Sequence, residues 1–155
     1  MQSAWPQRSY LSLCRNKHIL DGCGEAPPRN VQSKPVRWVG GSKADLREFP
    51  EEVRRRVGSA LWGAQLGLKA LYVKPLKGFG GTSVLQIVDD FDGDTYRAVY
   101  TVRFARAVYV LHAFRKKSRR GIATPKAELD LVVRRLRRAK EDYEQWSRSE
   151  KPKSR

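Results

Sequence analysis

Hydrophobic positions recur along this chain in patterns whose period changes several times, and each change marks an element. Val36 to Val39 is a short apolar stretch ending in Gly40-Gly41, which predicts a strand running into a turn. Ser42-x-x-Asp45 then offers an N-cap with an acid in the first turn, and Leu46 and Phe49 follow at helical spacing before Pro50, a residue suited to the first position of a second helix. In that helix Val53, Val57, Ala60, Leu61, Ala64 and Leu68 share one stripe, while Glu51, Glu52, Arg54, Arg55 and Arg56 fall mostly outside it. After Gly67 the run Lys74-Pro75-Leu76-Lys77-Gly78-Phe79-Gly80-Gly81 reads as a glycine-rich loop leading to a β-branched strand, Val84 to Val88. Asp92-Gly93-Asp94 signals a turn, Tyr96 to Val102 the next strand, and Ala105-Arg106 another turn. Val108 to Phe114, apolar at successive positions, predicts a central strand buried on both faces. Thr124-Pro125 repeats the cap and first-position pairing. Leu129, Val132, Val133, Leu136, Tyr143 and Trp146 then mark the buried stripe of a final helix, with Arg134, Arg135, Arg137, Arg138 and Lys140 opposite. Strand, two helices, three strands and a helix make an α+β fold with helices packed on an antiparallel-rich sheet, and there is no internal repeat.

Residues 1–33 show neither period and carry Pro6, Pro27 and Pro28, so they read as an irregular or disordered arm. Residues 34–146 form the expected domain and 147–155 a basic tail. A length of 155 residues suits one domain, and 40% hydrophobic content suffices for a core. The chain contains neither a membrane-length apolar run nor an apolar N-terminal stretch of the secretory kind, which predicts a soluble, cytoplasmic protein.

Charge changes this picture most. The formal net charge is +16, a balance that points to a polyanionic partner such as nucleic acid, the ribosome or an acidic protein. Residues 1–33 carry 4 basic and 2 acidic side chains, residues 34–102 carry 11 and 8, and residues 103–155 carry 17 and 6, so the basic end is the C-terminal third. Two familiar sites are excluded by spacing. Gly78 to Gly81 lacks the pattern of a nucleotide-triphosphate loop and precedes a strand rather than a helix. Cys14, His18 and Cys23 offer three soft ligands in loose spacing where a structural zinc takes four. Asp89-Asp90 and Asp92-x-Asp94 flank a hairpin, where Asp is common for backbone reasons. No metal or other cofactor is expected.

What remains is a concentration of cations on the sheet and at its exit: Lys77, Arg97, Arg103, Arg115, Lys116, Lys117, Arg119 and Arg120, with His112 on the central strand. Alternation along the strand puts Arg97, Val99, Thr101 and Arg103 on one face and Tyr96, Ala98, Tyr100 and Val102 on the other. Such a face suits a phosphate backbone. Arg97 as a solvated or ion-paired arginine, with an acid such as Asp90, and His112 as a satisfied, partly buried histidine are the competing readings.

The segments Lys74 to Gly80, Asp90 to Tyr100, and Leu111 to Ser118 followed by Thr124-Pro125 resemble the phage-derived Gp49-like branch of the HigB toxins, within the RelE/ParE superfamily of bacterial toxin–antitoxin systems. The resemblance runs from Lys34 to about Trp146. It implies the same α+β fold, with a short N-terminal strand, a helical hairpin, a curled antiparallel sheet and a C-terminal helix. It further implies an endoribonuclease acting on mRNA in the ribosomal A site. By position in that pattern Lys77 is a loop cation, Arg97 the sheet arginine, Lys116 or Lys117 the cation after the last strand, and His112 an addition of this branch. No tyrosine follows Lys117 until Tyr143, so the C-terminal tyrosine of RelE has no counterpart here. Cleavage by RNA's own 2′-hydroxyl needs a base, donors for the phosphoryl oxygens and an acid for the leaving 5′-oxygen, but no metal. Arg97 would stabilise the phosphate, and His112 with Lys116 or Lys117 would share proton transfer. A lysine among arginines is suited to that task because like-charge repulsion favours its neutral form. The implied partners are mRNA, the ribosome and a helix-turn-helix antitoxin of the HigA type. Two other functions fit the same residues: a gyrase inhibitor without a nucleolytic site, as in the ParE branch, and a basic module that binds nucleic acid without cutting it.

Overall fold

A five-stranded sheet, ordered β1-β5-β4-β3-β2, organises the chain. The computed structural model describes residues 33–79, 83–117 and 125–149. Within them lie β1 (Val36–Trp38), α1 (Ser42–Arg47), α2 (Glu51–Gln65), β2 (Val73–Pro75), β3 (Val84–Phe91), β4 (Asp94–Thr101), β5 (Val108–Lys117) and α3 (Lys126–Ser149). The N-terminal arm up to residue 32, Gly80-Gly81, Arg119, Arg120, the Thr124 cap and residues 150–155 lie outside the described residues. β1 pairs with β5 in parallel and every other pairing is antiparallel.

The alternation of side chains explains why helices cover both faces. On one face Ile87, Ala98, Tyr100 and Val110 pack with Leu46, Phe49, Val53 and Val57 of the α1–α2 segment. On the other, Val84, Val99, Tyr109 and Leu111 pack with Val132 and Ala139 of α3. β5 lies between β1 and β4 and is buried on both faces from Val108 to Leu111, as its unbroken apolar run requires. The β3–β4 hairpin closes on Asp92 and Gly93, both at positive φ (49° and 79°), the two-residue turn whose twist matches the flanking strands.

Several local expectations are corrected. Lys74 and Pro75 belong to a short edge strand, β2, paired with β3, and not to a loop; Pro75 is tolerated there because an edge strand has one side without ladder bonds. Ser42 is not a cap. It is the first residue of α1, fully buried, and its Oγ donates to the Val110 carbonyl at 3.1 Å, joining the helix to β5. Pro50 is the N-cap of α2, one position earlier than expected. Leu68 leaves the buried stripe because α2 ends in a Schellman turn: Gly67 takes φ +78°, and the Leu68 amide donates to the Gly63 carbonyl at 2.8 Å. Leu68 is 44% exposed as a result. On α3, Val133 turns about 100° away from Val132 and is exposed, whereas Arg135 lies on the flank of the buried stripe and is largely covered.

Candidate functional site

The face of the sheet under α3 passes from core to solvent along β4 and β5. Residues directly opposed in an antiparallel ladder share a face, so the register defines three rows: Gln86, Val99 and His112; Val88, Arg97 and Phe114; Asp90, Thr95 and Lys116. Val99 and His112 are buried, Val88, Arg97, Phe114 and Lys116 are half-buried, and Asp90 is exposed. A β-bulge brings His112 onto this face. Tyr100 pairs with Val110 while Val99 pairs with His112, so Leu111 is the extra residue and the alternation of β5 shifts by one. Without it, the count from Val110 would send His112 to the α2 side.

Three charged groups from two helices converge on His112. Arg135 Nη1 lies 3.0 Å from His112 Nδ1 and donates to the Leu111 carbonyl at 2.9 Å. Glu128 Oε2 lies 2.5 Å from His112 Nε2, and Asp45 Oδ2 stands 3.7 Å from Nδ1 and 3.6 Å from Arg135 Nη1. A guanidinium has no acceptor, so Nδ1 must present its lone pair and the ring proton sits on Nε2, donated to Glu128. Both ring nitrogens are thereby occupied. Gly40 makes room for this arrangement: it takes φ +57°, and a Cβ there would stand 3.2 Å from Arg135 Nε.

Arg97 donates from Nη1 to Gln86 Oε1 at 3.0 Å across the β3–β4 ladder. Asp90, in the next row, accepts from Thr95 Oγ1 at 2.5 Å. Lys116 stands two positions along from Phe114, which is opposite Arg97, a diagonal of roughly 7–8 Å. Lys74 completes the group. It pairs with Gln86, which places it on the same face, and it is exposed.

The other cations are placed elsewhere. Arg115 is on the opposite face, 3.5 Å from Asp94. Arg103 is exposed and follows the end of β4, its amide bonded to Thr101 Oγ1 at 3.2 Å. Lys77 is exposed next to Leu76, whose amide donates to the Val84 carbonyl, at that same end of the sheet. Lys117 holds the register position opposite Asp94. Sequence reasoning missed Lys74, Glu128 and Arg135. For Lys74 a signal existed, since Val73-Lys74-Pro75 alternates as a strand does. For Glu128 and Arg135 none did, because only folding sets them beside His112.

Among the described residues no three His, Cys, Asp or Glu side chains gather as a metal site, and no helix is long and apolar enough to cross a membrane.

No curated protein matches the chain in sequence. Among solved structures, a chain of the toxin–antitoxin complex RelBE2 from Mycobacterium tuberculosis is similar at 17% identity and a TM-score of 0.38, with 57% of this chain and 98% of that one covered. The family model of the phage-derived protein Gp49-like (DUF891) matches residues 44–137, from within α1 through β2, β3, β4 and β5 and into α3. That stretch is more than half of the chain and holds every residue of the His112 and Arg97 groups, so the chain belongs to the Gp49-like family.

Proposed function

We propose that this chain is the toxin of a type II toxin–antitoxin system, an endoribonuclease that needs no metal and cuts translated mRNA at the ribosome. The observation that carries the reading is the cationic face, where half-buried Arg97 on β4 and Lys116 on the neighbouring β5 share a side of the sheet with exposed Lys74 on β2, within the family-matched segment. In this mechanism Arg97, held by Gln86, receives the phosphoryl oxygens as charge develops on them. One lysine amine takes the 2′-hydroxyl proton, the 2′-oxygen attacks phosphorus, and a second cation protonates the departing 5′-oxygen, leaving a 2′,3′-cyclic phosphate and a 5′-hydroxyl. Lys74 and Lys116 are the amines assigned to that proton traffic; Lys117, whose register puts it with Arg115 on the other face, is not among them. His112 belongs to the set as an oriented imidazole, and proton transfer through it requires its bond to Glu128 or Arg135 to open. Lys77, Arg103 and Arg115, with Arg119 and Arg120, extend the contact to RNA beyond the cleft. A helix-turn-helix antitoxin of the HigA type, presenting acidic side chains to this face, is the partner that silences it.

Induced expression of the full chain beside Arg97→Ala, with growth followed and mRNA 5′ ends mapped, tests the reading. Growth arrest with new ends inside translated messages, at least tenfold weaker in the variant, is expected. Arrest with intact messages would transfer the chain to the gyrase-inhibiting class, and the absence of arrest would leave a binding module.

A further inference from the structure

Phe114 is a half-buried ring at the margin of the α3-side core, against which it packs, where the face turns from apolar to charged. It opposes Arg97 in the ladder, stands two positions from Lys116, and is half-buried, while Leu111 and Val99, nearer to α3 on the same face, are fully buried. Its ring stacks on that of His112, with centroids 5.1 Å apart and planes at 23°. The imidazole is fixed from both sides by Glu128 and Arg135, so the Phe114 ring stacks on a partner that is itself held in place. A planar π-face presented between two cations matches one nucleotide: a base to stack and a phosphate on either side of it. Asp90, hydrogen-bonded to Thr95 in the same row as Lys116 but on β3, puts negative charge on the side of that row away from β5, which keeps a polyanion on the line from Arg97 to Lys116.

We propose that the Phe114 ring is a stacking shelf for one nucleobase of a single-stranded RNA, with Arg97 and Lys116 receiving the flanking phosphates. This rests on the preceding reading of the face as an RNA site and deepens it. The stacked imidazole gives His112 a purpose compatible with both its nitrogens being occupied: it is the floor of the shelf, with Glu128 and Arg135 as positioning residues. Because every base has a π-face, the shelf selects for an unpaired base rather than for one letter, and it excludes a duplex whose bases remain stacked on each other.

The test uses the full chain and a 2′-O-methyl RNA tetranucleotide, which cannot be cut by its own 2′-oxygen and is too short to shift register without losing phosphate contacts. Affinity is measured for the intact strand and for strands abasic at each position in turn. One position should weaken binding roughly fivefold to a hundredfold when its base is removed. Phe114→Leu should weaken the intact strand by a similar factor and become indifferent to the missing base, while Phe114→Tyr should behave as wild type. A flat scan in the wild type, a position dependence that survives in Phe114→Leu, or no binding at all would each overturn the shelf. If circular dichroism finds Phe114→Leu unfolded, the wild-type scan and Phe114→Tyr decide alone. The cleavage reading is judged separately by its mapped 5′ ends, so cut messages together with a flat scan would remove the shelf and leave the nuclease.

Discussion

At the far end of α3 from His112, one carboxylate anchors the helix to the sheet. Asp142 Oδ2 and Oδ1 accept from Arg37 Nε and Nη2 at 2.7 and 2.9 Å, and the buried Tyr109 hydroxyl donates to Oδ2 at 2.7 Å. Trp146 stands over the same guanidinium at 5.2 Å and takes Arg106 at 5.1 Å. The hydrogen bonds from Arg37 hold the Asp142 carboxyl below the usual carboxylate range despite the opposing cost of burial. Burial and the bond to Asp142 push the Tyr109 phenol up. A carboxylate lowered on folding adds stability at pH values above its unfolded range, and that contribution is lost as pH falls through its folded value. Asp142→Asn should therefore cost about 1 kcal/mol at pH 7, a modest figure because both partners are more than a third exposed (35% and 46%). The gap between wild type and variant should close as pH drops below 4. Urea midpoints from pH 7 to pH 3 would check both points, and a gap that widens in acid would contradict the assignment.

Among the elements, the longer ones were legible because period alone decides them: the stripe of Val53, Val57, Ala60 and Leu61 is α2, and the double-sided run at Val108 is the central strand. β2 was not legible, since three residues containing a proline beside a glycine-rich turn carry too short an alternation to stand against loop composition. The bulge at Leu111 left no sequence signal either, because an extra residue inside an apolar run keeps the run apolar. Reading Arg97 as a cation of the sheet face needed only alternation, whereas the partners of His112 needed the turn at Gly40 and the register of α3. Two glycines separate these causes. Gly67 and Gly40 both take positive φ, but a Cβ at Gly67 meets nothing within 4 Å, while at Gly40 it meets Arg135. Gly67→Ala should cost about 1 kcal/mol of stability, from backbone strain alone, and leave the site unaltered. Gly40→Ala should cost more and displace the guanidinium from Nδ1, which would appear as a changed His112 ring resonance in an NMR titration. Equal costs and an unchanged ring would mean that Arg135 accommodates the methyl and that the site does not depend on the turn.

The whole molecule carries +16, and the arrangement of that charge decides between a focused cleft and a generally adhesive surface. On α3, Arg134, Arg137 and Arg138 are exposed, on or toward the side of the helix away from Val132 and Ala139. A module that merely tracks phosphates would use them together with the sheet cations, and its binding would steepen with every such contact. A cleft built on Lys74, Arg97 and Lys116 engages about three phosphates of a short single strand, which gives a slope of log K against log salt near −2 at roughly 0.7 per phosphate. Lys74→Gln should make that slope shallower by about 0.7, and replacing Arg134, Arg137 and Arg138 with Gln should leave it where it was, although affinity falls slightly everywhere through the weaker long-range field. Titrations of a single-stranded tetranucleotide at several salt concentrations check both variants. A slope that responds to the α3 arginines and not to Lys74 would make the helix the RNA-binding element and the cationic sheet face a bystander, a result that would also remove the geometric basis for placing a reacting phosphate at Arg97.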